Sequence, residues 1–178
     1  YTARLVFKIT NKAKVTAIPL AVNHNYFTPT ERESNDDKLK LSSVSRIFKF
    51  KGHDFIIQTI AGLPEKYQDK IELHIAGKGP YLNELEHLTE KLNLRSQVFL
   101  HKYVPDNELP HFYNQSDAFI LCTRQSLSST EVEGFGLVFL EAQSCGKPAI
   151  GTNTGGIPDA IDPENGGWLI EQDNKKQL

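Results

Sequence analysis

Between Asp117 and Thr123 the chain reads Ala118-Phe119-Ile120-Leu121-Cys122, a run without one polar side chain. A run this short between turn signals reads as a strand, and a strand with no polar alternation must be covered on both faces. That requirement points to a parallel sheet with helices above and below it. The rest of the chain agrees with it from Leu39 onward. Leu39 to Ser45, Ile71 to Ala76 and Val98 to Leu100 read as strands before this one, with Ala149 to Gly151 and Trp168 to Ile170 after it. Between them, Phe55, Ile56, Ile60 and Leu63 share one helical face, and Leu82, Leu85, Leu88 and Leu92 another. A short helix is expected near Glu108 to Gln115. A longer one starts near Gly136 and stops at Gly146, with Pro148 just beyond. Strands alternating with helices imply right-handed crossovers, hence an α/β fold with a Rossmann-like parallel sheet and helices on both faces.

Composition narrows the function classes. The 178 residues suit one domain, and a net charge of −2 gives no basic footprint for nucleic acid. No apolar run approaches the ~20 residues of a membrane-spanning helix. Cys122 and Cys145 lack metal-ligand spacing and read as buried thiols of a reducing compartment. Residues 1–27 read differently from the rest: Lys14 to Ile18 is a short strand candidate that Pro19 ends, and Asn23 to Lys38 reads as a linker. The chain starts at Tyr1, has no methionine, and ends as a new helix would begin, so it reads as a piece of a longer protein. We therefore divide it into a tail and linker, residues 1–30, and a ligand-binding domain, residues 31–178, cut at its C-terminal helix.

In strand–helix repeats ligands bind outside the carboxyl ends of the strands. The glycines and charges of this chain collect there: Arg46 with Lys51, Gly77 with Gly79, Lys102-Tyr103, Glu133 to Gly136, and Gly155-Gly156. Arg46 and Lys51 bracket the first turn and could reach one anion, Arg as a planar fork and Lys as a mobile point charge. A helix opening at Gly136 aims free N–H groups at what lies before it, which suits phosphate. Glu133 and Glu141, eight positions apart, remain to accept hydrogen bonds from hydroxyls. Gly77-Lys78-Gly79-Pro80 lacks the rest of a P-loop, Phe139 stands where a dinucleotide fingerprint has its third glycine, and the histidines do not cluster as metal ligands. Taken singly each feature also fits an ordinary turn or a solvated charge. Together they fit a nucleotide-diphosphate sugar, with no metal or other cofactor expected.

At these residues the chain resembles the donor-binding, C-terminal domain of the retaining glycosyltransferases of family four, which have the GT-B architecture. The likeness spans about residues 15 to 171. It rests on Arg46 and Lys51 after the first strand, Gly77-Lys78-Gly79-Pro80 after the second, and Tyr103-Val104-Pro105-Asp106 after the third. Glu133-Gly134-Phe135-Gly136-Leu137-Val138 with Glu141 follows, and then Gly155-Gly156-Ile157-Pro158. The resemblance implies that Arg46 and Lys51 bind the donor diphosphate and that Glu141 holds the ribose hydroxyls. It places Glu133 by the transferred hexose and brings the backbone of Gly134, Phe135, Gly136 and Leu137 to sugar and phosphate oxygens. Tyr103 and Val104 would meet the base. The acceptor, a saccharide or a lipid-linked sugar, would be bound mainly by an N-terminal domain outside this chain, so the chain alone is expected to transfer no sugar. The implied location is cytoplasmic, with peripheral contact of the longer enzyme at the inner face of the membrane left open.

The chain departs from that pattern in three places. Ser45 replaces a usual glycine, Thr123-Arg124 replaces a common Pro-Ser, and Gln125 to Val132 is long, like a subset of members with a mobile segment there. A sugar-nucleotide epimerase, a non-catalytic nucleotide-sugar-binding module and a nicotinamide-dependent oxidoreductase stand as alternatives, the last disfavoured by the missing third glycine.

Overall fold

A computed structural model describes residues 1–10, 14–31, 37–125 and 131–178. After an N-terminal helix α1 (Thr2–Ile9), the domain runs β1 (Leu39–Val44), α2 (His53–Ala61), α3 (Glu65–Gln68), β2 (Ile71–Ala76) and α4 (Leu82–Lys91). It continues with β3 (Val98–Leu100), α5 (Leu109–Asn114), β4 (Ala118–Leu121), α6 (Leu137–Ser144), β5 (Ala149–Thr152) and β6 (Gly167–Ile170). The strands form one six-stranded sheet in the order β3-β2-β1-β4-β5-β6, and every pairing is parallel.

The expected α/β fold is present, and β4 shows why its sequence is apolar throughout. Ala118 and Ile120 point into one core with Phe55, Ile56, Leu73, Ile75 and Leu85, beneath α2 and α4. Phe119 and Leu121 point into the other, with Tyr113, Phe139, Ala142 and Ile157, beneath α5 and α6. Each residue of the strand is therefore buried, on alternate sides. Edge-on aromatic contacts run through the second core from Phe27 to Tyr113, Phe119 and Phe139. Thr30 N–H donates to Asn114 Oδ1 and Asn114 Nδ2 to the Thr28 carbonyl, so residues 27–30 are fastened to α5.

Several expectations need correction. Lys14 to Ile18 is not a strand: no regular structure is formed there, and Ile18 is exposed. β-Branched residues favour a strand only where a sheet edge receives them, and the six strands of the sheet, from β3 at one edge to β6 at the other, do not include this segment. Helix α1, the one-turn α3 and the 3₁₀ turns Lys49–Lys51 and Pro163–Asn165 were not anticipated. The short helix expected near Glu108 to Gln115 is present as α5, entered through a 3₁₀ turn at Asp106–Glu108. The stop expected at Gly146 is present: α6 ends at Ser144 with Cys145 as its cap, and Gly146 turns the chain at φ 74. The centre of the long Gln125 to Val132 loop and of the linker at 32–36 lie outside the described residues.

Candidate functional site

The sheet order reverses between β1 and β4, which leaves a crevice outside their carboxyl ends. The turn after β1 is built to place charge there. Ser45 N–H donates to the Ala76 carbonyl and Ile47 N–H to the Lys78 carbonyl, locking this turn to the loop after β2. Gly77 and Gly79 let that loop lie on the Ser45 and Ile47 carbonyls. Fully buried Ile47 anchors the turn, so its neighbour Arg46 is exposed and lies 5.3 Å from the Phe48 ring. Lys51 closes the 3₁₀ turn, and Gly52 behind it abuts the end of β4.

Lys51 Nζ meets Glu133 Oε2 at 2.5 Å, with side chains 10% and 15% exposed. The ammonium also lies 5.1 Å from the Phe50 ring. Residues 82 positions apart are thus joined at the crevice. Glu133 is held through its backbone: Gly156 N–H donates to its carbonyl at 2.8 Å. A Cβ on Gly156 would sit 2.0 Å from the Gly134 carbonyl oxygen, so only glycine permits this approach. Gly136 then caps α6 at φ 90, and Phe139 packs beneath it. The first-turn N–H groups of α6 face back along the chain toward Glu133, with the positive end of the helix dipole. A cleft of about 870 Å³ opens here, lined by Glu133 to Leu137 on one side and by α1 and residues 15–20 on the other.

Glu141 takes a different partner. Its Oε2 accepts a 2.7 Å hydrogen bond from the Tyr113 hydroxyl of α5. Burial raises the carboxyl above its ordinary range, the Tyr113 bond pulls it back down, and the charge of Asp106 pushes it up. Burial likewise drives the Tyr113 phenol well above its usual value, with Glu141 adding to the effect. Asp106 belongs to the Tyr103–Asp106 loop, so that loop and Glu141 are electrostatic neighbours. Tyr103 is exposed with Lys78 Nζ 4.5 Å from its ring, and Val104 is half-buried.

The residues singled out from sequence therefore fall into two groups. Glu133 and the backbone of Gly134 to Leu137 line the cleft, and Lys51 joins them through its ion pair with Glu133. Glu141 lies with Tyr113 and Asp106. Arg46 makes no ion pair among the described residues. Among them also, no three His, Cys, Asp or Glu side chains converge as metal ligands.

Three residues escaped the sequence reading. Tyr113 carries no motif, and nothing in its spacing ties it to Glu141. Arg124, noted only as a departure, forks onto both oxygens of buried Asp54 at 2.7 and 2.9 Å and reaches Asp173 at 2.7 Å, binding the end of β4 to α2 and to the turn after β6. His53 is buried at the start of α2, with Nε2 3.3 Å from Ser45 Oγ. Burial and, after it, the Lys51 charge bring its pKa down from 6.5 to about 3. The side chain of Ser45, standing where a glycine was expected, thus touches His53 and donates to the Arg46 carbonyl.

Known proteins resemble this chain in sequence and in fold. A GDP-mannose-dependent α-(1-6)-phosphatidylinositol monomannoside mannosyltransferase of Mycolicibacterium smegmatis is 29% identical over 167 residues, covering 89% of this chain and 44% of that protein. This chain thus spans less than half of that relative. Sucrose-phosphate synthase of Thermosynechococcus elongatus superposes with a TM-score of 0.83 at 21% identity, covering 98% of this chain and 44% of the other. WaaG, a glycosyltransferase involved in lipopolysaccharide biosynthesis, gives a TM-score of 0.68 at 27% identity over 80% of this chain and 36% of the other. The family model for glycosyl transferases group 1 matches residues 27–178, the whole of the sheet and both of its cores, and the chain belongs to that family.

Proposed function

We propose that this domain binds the nucleotide-diphosphate sugar donor of a hexosyltransferase that transfers its sugar with retention of configuration. The observation that carries this reading is the Lys51–Glu133 pair, a cation and a carboxylate brought together at the switch point of the sheet in front of the α6 N-terminus. As the glycosidic bond breaks, the diphosphate gains negative charge and the sugar becomes oxocarbenium-like. Lys51, Arg46 and the α6 N–H groups stabilise the departing diphosphate, without a metal cofactor being required of them. Glu133 turns to the hexose, and the backbone of Gly134 to Leu137 contacts sugar and phosphate oxygens. Glu141 accepts from the ribose hydroxyls, and Tyr103 with Val104 borders the base. The GDP-mannose dependence of the mycobacterial relative supports an activated-sugar donor. The acceptor, a saccharide or lipid-linked sugar, is held mainly by a further domain, and the longer enzyme works in the cytoplasm.

Calorimetric titration with GDP, UDP and ADP tests the assignment. A hydrogen bond to a charged group is worth ~1.5–3 kcal/mol, so Lys51→Met should weaken nucleoside diphosphate binding about 10- to 150-fold. Equal affinity in wild type and Lys51→Met would remove the diphosphate role.

A further inference from the structure

Tyr113 is among the most completely buried large side chains of the protein. Its ring is packed edge-on by Phe27 at 6.0 Å and by Phe119 at 5.8 Å, which leaves the ring little freedom. A buried phenol needs a hydrogen-bond partner, and this one donates to Glu141 Oε2 at 2.7 Å. Glu141 is only half-buried, and among the described residues no donor reaches its Oε1. One oxygen is therefore fixed by a rigid donor inside the core, and the other is left to accept. Glutamate otherwise turns freely about its side-chain bonds, and each rotamer lost on binding weakens the ligand.

We propose that Tyr113 is a positioning residue: it holds the Glu141 carboxylate ready for the ribose hydroxyls of the donor, so that discrimination of ribose from deoxyribose depends on a phenol that never touches the ligand. This rests on the assignment of Glu141 to ribose made above. A hydroxyl donating to the carboxylate also favours the charged, acceptor-only form over the protonated one, which is the form a diol can best use. The Asp106 charge and burial oppose that form, and the Tyr113 bond works against both. The two effects, fixed direction and maintained charge, act through one 2.7 Å contact.

The test compares a nucleoside diphosphate with its 2′-deoxy form, using whichever of GDP, UDP and ADP binds wild type best. A charge-assisted hydrogen bond makes the expected wild-type preference for the ribo form about tenfold or more. Tyr113→Phe removes only the hydroxyl and keeps the ring packing. It should weaken the ribo form, leave the deoxy form within about twofold, and so bring the ratio close to one. Tyr113→Met, a flexible filler without a donor, is the second variant should the first not fold, and the same collapse is expected. Phe119→Leu, which loosens the same core without touching the hydroxyl, should lower the melting temperature and keep the ratio. A wild-type ratio in folded Tyr113→Phe or Tyr113→Met overturns the positioning role. A wild-type ratio in Glu141→Ala overturns the ribose assignment beneath it, while loss of the ratio in Glu141→Ala alone leaves that assignment standing and rejects Tyr113.

Discussion

Replacing Glu133 by Gln keeps the shape of the side chain and deletes its charge, leaving Lys51 without its counter-ion. Removing one member of a fully buried pair costs ~3–5 kcal/mol, whereas an exposed pair contributes ~0–1 kcal/mol. With side chains 10% and 15% exposed, the pair lies nearer the buried limit. Glutamine can still accept from the ammonium, so we expect about 2–3 kcal/mol of lost stability. At ~2–4 °C per kcal/mol for a domain of this size, the melting temperature should fall by about 4–12 °C. Lys51→Met should cost a similar amount, because it leaves the Glu133 carboxylate unmatched. The double variant should recover much of the loss, and the coupling energy follows from urea melts of all four proteins by circular dichroism. Single-variant effects that simply add, within about 0.5 kcal/mol, would refute the interaction. The same variants carry a functional corollary. Glu133 occupies the ammonium that phosphate is proposed to use, so Glu133→Gln should bind a nucleoside diphosphate at least as tightly as wild type, although the fold is weaker.

His53 is neutral in the folded protein and ordinary when unfolded, so the unfolded chain binds the extra proton between pH 6.5 and about 3. Its contribution is fully present above pH 6.5 and lost as pH falls toward 3, up to roughly 5 kcal/mol in all. His53→Leu should flatten the stability profile across that window in urea melts from pH 4 to 7. Arg124→Ala should cost about 3 kcal/mol by leaving buried Asp54 unpaired, and Asp54→Asn in the same background should restore part of it. Gly156→Ala places a methyl against the Gly134 carbonyl and should cost ~1–3 kcal/mol. Its nucleoside diphosphate affinity should fall further than its stability implies, since the Glu133 loop must move.

Much of this was legible in the chain because the signals are local. The apolar run at Ala118 to Leu121 stated that both faces of a strand are covered, and the two cores are those faces. The spacing of Glu133, Gly136 and Glu141 marked a loop entering a helix, and α6 begins one residue after Gly136. What was not legible depends on pairings across long stretches. Nothing at position 51 names position 133, and nothing at 113 names 141. The short strand read into Lys14 to Ile18 failed for the same reason: β-propensity describes a surface that a neighbour must supply. Arg124 read as a departure because its partners, Asp54 and Asp173, lie 70 and 49 residues away.

The depressed pKa of His53 has a bearing on Lys51 two residues before it. A histidine in that position with an ordinary pKa would gain charge across the range in which cells operate, and the anion site proposed at Lys51 would strengthen and weaken with each small change in acidity. Buried and with its pKa brought down to about 3, His53 adds no charge of its own near neutral pH. The cradle then presents the same sign and strength across the neutral range. Any pH dependence of nucleoside diphosphate binding near neutrality should accordingly follow the ionisation of the ligand's terminal phosphate rather than a titration of this imidazole.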